Sequence, residues 1–140
     1  MKDYKPPFFS AINARWSRSA ELIVPLIIDL VNPRSVVDIG CGTGTWLAVM
    51  KSHNIDDVLG IDGEWVPDKS LRIPKSCFLT HDLTKPFNIE RRFDLAISLE
   101  VAEHLDRDCA RSFVDTLVKL MAEQHRDRSG HRKAAAAHRC

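Results

Sequence analysis

Val36-Val37-Asp38-Ile39-Gly40-Cys41-Gly42-Thr43-Gly44 is a short apolar run that empties into an acid and then three glycines at alternate positions. The apolar part reads as a buried parallel strand, and the glycines permit a tight turn that a Cβ would obstruct. Thr45-Trp46-Leu47-Ala48-Val49-Met50 follows with helical character. Strand, glycine turn and helix in that order present backbone N–H groups and a positive helix end to a ligand. Plain connections can also be glycine-rich, so the acids that follow decide the matter.

Working outward, the alternation continues on the C-terminal side. Asp57–Asp62 reads as a second strand, Ser76–Thr80 as a weaker third ending at His81-Asp82, and Phe93–Ser98 as a fourth. Helices are expected over Thr45–His53 and Asp106–Glu123, the latter with Phe113, Leu117 and Leu120 on one face. Between Gly63 and Ser76, Pro67 and Pro74 limit regular structure to a short helix at most. On the N-terminal side, residues 1–9 read as an irregular arm and Ser10–Val31 as a helix. Pro25 is expected to kink it or to start a second segment, and Asn32-Pro33 ends it.

Strands alternating with helices imply an α/β fold: a Rossmann-like, doubly wound parallel sheet of about four strands, preceded by an N-terminal helix. Right-handed crossovers put the C-terminal strand ends on one edge, where such sheets bind ligands. Asp38, Asp62, Asp82 and Glu100 all fall at or near those ends. The organisation expected is an arm and helix over 1–32, a partial α/β domain over 33–124 and a basic tail over 125–140. That tail, rich in arginine, histidine and alanine, has too few large apolar residues to order itself.

At 140 residues, 44% hydrophobic and 28% charged, the chain has the composition of one soluble globular domain. A net charge of +1 supplies no general field for nucleic acid or an anionic membrane. Cys41, Cys77, Cys109 and Cys140 show neither C-x-x-C pairing nor metal-ligand spacing, so free thiols and no metal are expected. The longest apolar block, Leu22–Ile28, is too short to span a bilayer and carries Pro25. The N-terminus lacks the apolar core of a signal peptide, and the cytoplasm is the expected location.

Two ligands are common at such a site, a nicotinamide or flavin dinucleotide and S-adenosylmethionine. The dinucleotide fingerprint G-x-G-x-x-G requires a third glycine where this chain has Thr45. Val37–Gly44 instead resembles the first motif of the class I S-adenosylmethionine-dependent methyltransferases. Gly60-Ile61-Asp62 resembles their second-strand acid, His81-Asp82-Leu83 their third-strand acid, and Phe93–Leu105 their fourth-strand motif.

The resemblance implies a role for each residue. Gly40, Gly42 and Gly44, with Cys41 among them, would approach the methionine part of the cofactor. Asp38 would order the loop or accept from the cofactor's ammonium group. Asp62, next to Gly63, would accept both ribose hydroxyls, and Asp82 the adenine amino group, with Leu83 flanking the ring. Trp65 is a candidate for packing on adenine or ribose, or else an ordinary core or surface aromatic. Leu99, Glu100, Glu103 and His104 follow the fourth strand, where the methyl group would be transferred. His104 is a candidate general base and Glu100 a second catalytic candidate. Tyr4, Phe8, Phe9, Asn13, Arg15 and Trp16 could form a lid over the cofactor or anchor the arm to the sheet.

The family's sheet has seven strands, and its fifth lies beside the fourth. Here Phe93–Ser98 is expected to be left as an edge open to self-association. The switch in composition after Glu123 suggests a truncated, spliced or frameshifted end. Three readings stay open at this point: a methyltransferase or its cofactor-binding portion with an unidentified acceptor, a shortened non-catalytic binding or interaction protein, and an NAD-dependent oxidoreductase.

Overall fold

The structure is a computed structural model that describes residues 6–121, with side chains from Arg15 onward. Four strands form one parallel sheet: β1 (Ser35–Ile39), β2 (Asp57–Asp62), β3 (Phe78–Thr80) and β4 (Leu95–Ile97), in the order β3-β2-β1-β4. Helices α1 (Pro6–Val31), α2 (Thr45–Ser52) and α3 (Arg107–Leu120) cover it.

The period of two along each strand divides the core into halves. Val36 and Val58 pack with Leu47 and Met50 of α2 and with Ala20 and Val24 of α1. Val37, Ile39 and Ile61 point the other way and pack with Phe93 and with Phe113 and Leu120 of α3. Most of these residues are fully buried, and each such aliphatic side chain contributes about 1.5–3 kcal/mol of transfer free energy. Asp38 has the parity of Val36, so its carboxyl is directed to the half covered by α1 and α2 rather than to solvent.

Several boundaries differ from those expected. Residues 6–9 belong to α1: Pro6 and Pro7 occupy the first turn, where a missing N–H costs nothing. The helix continues through Pro25 without starting a second segment. The Gly63–Ser76 stretch holds two 3-10 turns, Asp68–Ser70 and Lys75–Cys77, and the second takes over the expected start of β3. β4 is three residues long because Asp94 does other work at its start. The Arg34 N–H donates to Asp94 Oδ2 at 2.7 Å, and the Asp94 N–H donates to Ser35 Oγ at 2.9 Å. The expectation that β4 would be a bare edge is corrected at one point. Phe93 and Met121 form a parallel bridge, with the Phe93 N–H donating to the Leu120 carbonyl at 2.8 Å. α3 ends at Leu120 and not at the expected Glu123: Met121 is already extended and bridges Phe93, while residues 122–123 lie outside the described residues, as do the tail, Cys140 and Tyr4. Among the described residues, no helix is long and apolar enough to cross a membrane.

Candidate functional site

The site is built at the C-terminal ends of β1, β2 and β4. After Ile39 the chain turns through Gly40, Gly42 and Gly44 at φ of 83°, 55° and 80°, the left-handed region that glycine enters without steric cost. Ile73 and Val101 fill the space that side chains on Gly44 and Gly40 would need. The turn is therefore packed as well as bent.

Most of its N–H groups are already engaged. Those of Gly40 and Cys41 donate to the Ile61 carbonyl at 2.7 and 3.3 Å, and that of Gly44 to the Cys41 carbonyl at 2.9 Å. The Gly42 N–H donates to Asp62 Oδ2 at 2.6 Å, and the Gly63 N–H donates to Asp62 Oδ1 at 2.7 Å. The Trp65 indole also donates to the Asp62 carboxyl. Burial pushes the Asp62 pKa up, and the Gly63, Gly42 and Trp65 hydrogen bonds pull against it.

Asp38 has no such help. It is 2% exposed, and its Oδ1 has no hydrogen-bond partner. Desolvation, with the nearby Asp62 charge adding to it, pushes its pKa up to about 8. A cavity of about 160 Å³ opens over it, lined by Trp16 and Ser19 of α1, Trp46 of α2, Gly40 and Cys41 of the turn, and Leu99 and Glu100. A second space of about 360 Å³ adjoins it between Arg15, Trp16, Ser19 and Glu100. Glu100 holds a left-handed φ of 55°, a strained conformation for a side-chain-bearing residue that aims it at both spaces.

The expected residues thus separate into groups. Asp38, Gly40, Cys41, Leu99 and Glu100 line the cavity; Gly42, Gly44, Asp62 and Gly63 do not, Gly42 and Gly63 being hydrogen-bonded to Asp62 instead. Leu83 packs into the α3 half of the core. Asp82 is exposed and caps a turn through the Thr84 N–H and hydroxyl at 3.0 and 2.6 Å. Those bonds, the Thr84 hydroxyl foremost, hold its pKa down to about 2. Glu103 and His104 sit on the exposed 3-10 turn Ala102–His104, and neither lines the two spaces. Of the candidate lid, Trp16 and Arg15 are at the site, while the side chains of Phe8, Phe9 and Asn13 lie outside the described residues. Ser19 and Trp46 were missed. Ser19 follows Trp16 by one helical turn, a spacing that could have revealed it. Cys41, Cys77 and Cys109 are free thiols.

The profile of the methyltransferase domain family matches residues 11–126. The chain belongs to this family. Three solved methyltransferase structures share the fold of this methyltransferase domain. A putative O-methyltransferase from Nostoc punctiforme PCC 73102 has a TM-score of 0.68 at 18% identity, over 83% of this chain and 37% of that one. The methyltransferase domain of bacterial CtHen1-CN has a TM-score of 0.57 at 23% identity, over 69% and 56%. An O-methyltransferase family protein from Burkholderia thailandensis has a TM-score of 0.58 at 21% identity, over 82% and 38%. The chain therefore spans about 37% to 56% of the length of these structures. No curated relative matches it.

Proposed function

We propose that this methyltransferase domain binds S-adenosylmethionine and holds its methyl group toward an acceptor at the Glu100 side of the cavity. The observation that carries the reading is a buried acceptor left without a donor. Asp38 Oδ1 is a buried acceptor without a donor, and Glu100 adds a second carboxylate beside it. A buried polar atom of this kind favours a ligand that brings an N–H donor, above all a cationic one. S-adenosylmethionine carries both an ammonium and a sulfonium charge.

A dinucleotide fits poorly. Its pyrophosphate needs backbone donors, and the N–H groups of Gly40, Cys41, Gly42 and Gly44 already serve Ile61, Asp62 and Cys41. On this reading Asp38 holds the ammonium group, Gly40 and Cys41 bound the methionine part, and Asp62 faces the ribose. Methyl transfer is an in-line displacement, and alignment of acceptor and methyl group supplies a large part of the rate. Glu100 is the residue placed to orient an acceptor or take its proton. The free thiols Cys41, Cys77 and Cys109 suit a reducing, cytoplasmic compartment.

A second reading is binding without turnover. It is favoured by the position of His104, the expected base, which lies away from both spaces on an exposed turn. Single-turnover transfer of a labelled methyl group by the 140-residue chain, tested against small-molecule and macromolecular acceptors, separates the two. Transfer that disappears in Glu100→Gln while binding persists supports the first; binding with no transfer to any acceptor supports the second.

A further inference from the structure

The cavity over Asp38 stops short of Asp62, although the two carboxyls end neighbouring strands β1 and β2. Asp62 is 3% exposed, and three donors crowd its two oxygens: the Gly42 N–H, the Gly63 N–H and the Trp65 indole. The two amides are fixed in the turn and at the end of β2. Trp65 is different. It is 49% exposed and sits on the irregular stretch after β2. The Cδ1–Nε1 edge of its ring lies against Gly63, 2.7 and 2.9 Å from where a Cβ on that glycine would be. Of the three donors, the indole is the one carried by a half-exposed side chain. A ribose hydroxyl that takes the indole's place on Asp62 must displace it.

We propose that Trp65 gates the nucleoside end of the site, its indole N–H holding the Asp62 hydrogen bond that a ribose hydroxyl takes when Trp65 swings out. The inference rests on the nucleoside-binding reading given above. It reverses the role the sequence suggests for Trp65, since a stacking platform helps the ligand and a gate competes with it. Loss of one hydrogen bond from a half-exposed donor corresponds to a modest equilibrium. A gate shut about four-fifths of the time weakens apparent affinity roughly five-fold.

The test is calorimetric binding of S-adenosylhomocysteine to the full chain and to its Trp65→Phe and Trp65→Leu variants. Phenylalanine keeps a ring over Gly63 but cannot donate, and leucine removes the ring as well. The gate predicts binding roughly five-fold tighter in both. In parallel, the Trp65 indole N–H resonance, identified by its loss in Trp65→Phe, is expected to shift as ligand is added to the unsubstituted chain. Affinity that is equal or weaker in both variants overturns the gate and leaves the nucleoside reading standing. Weaker binding in Trp65→Leu alone makes Trp65 a stacking platform, and also overturns it. Absence of binding in all three chains overturns the nucleoside reading and the gate together.

Discussion

Asp62 Oδ2 accepts the Gly42 N–H at 2.6 Å, so a carboxyl at the end of β2 ties down the glycine turn that follows β1. One side chain thus links the ends of two neighbouring strands and shapes the turn. Removing it in Asp62→Ala leaves the buried Gly42 N–H without its acceptor, at a cost of about 1–3 kcal/mol. Urea unfolding is expected to show that loss, and calorimetry to show S-adenosylmethionine affinity falling by at least ten-fold.

Asp38 gives stability an unusual dependence on pH. Its folded pKa of about 8 lies above the ordinary carboxylate value of 3.8, because burial and Asp62 disfavour its charge. Between those values the folded chain retains a proton that the unfolded chain has released. The contribution of Asp38 is therefore fully favourable below about pH 4, declines as pH rises and levels off above about pH 8. Urea midpoints at pH 5, 7 and 8.5 are expected to fall in that order. In Asp38→Asn the decline should flatten, with a midpoint at pH 8.5 above that of the unsubstituted chain. An unchanged slope in the variant would contradict this assignment.

Burial predicts contrasting phenylalanine and leucine substitutions. Phe93 is fully buried, with the Arg91 guanidinium 4.4 Å from its ring centroid and its own N–H joined to Leu120. Phe93→Ala is expected to cost about 3–5 kcal/mol. Leu30 on α1 is 85% exposed, and Leu30→Ala should change stability by less than about 0.5 kcal/mol. Chemical denaturation of both variants measures the difference.

At Gly44 a side chain meets two obstacles. Its φ is 80°, and a Cβ would lie 2.8 Å from Ile73 Cγ1. Gly44→Ala is expected to destabilise the chain by more than the roughly 1–2 kcal/mol of a left-handed alanine alone. Pairing it with Ile73→Ala, which removes the crowding γ and δ carbons, should recover part of the loss. Simple additivity of the two costs would show that Ile73 is not the obstacle.

Much of this was legible from local pattern. The apolar runs at Val36–Ile39 and Asp57–Ile61 and the glycine spacing placed β1, β2 and the turn, because buried strands and left-handed turns depend on residues near in sequence. Long-range pairings were not legible. Nothing around Phe93 announces a bridge to Met121, and Asp94 reads as a strand residue although its carboxyl accepts from Arg34. Asp82 and Leu83 show the same limit at the site. Their motif is local, but the cap on Thr84 and the core contacts of Leu83 come from the fold around them. Trp65 is the sharpest case: its place beside Asp62 was readable, whereas its donation to that carboxyl was not.

The most direct measurement is titration of the chain and of Asp38→Asn with S-adenosylmethionine and, separately, with NAD. The account predicts saturable binding of S-adenosylmethionine, weakened at least ten-fold in Asp38→Asn, and no comparable response to NAD. Tighter binding of NAD with no response to S-adenosylmethionine would contradict it.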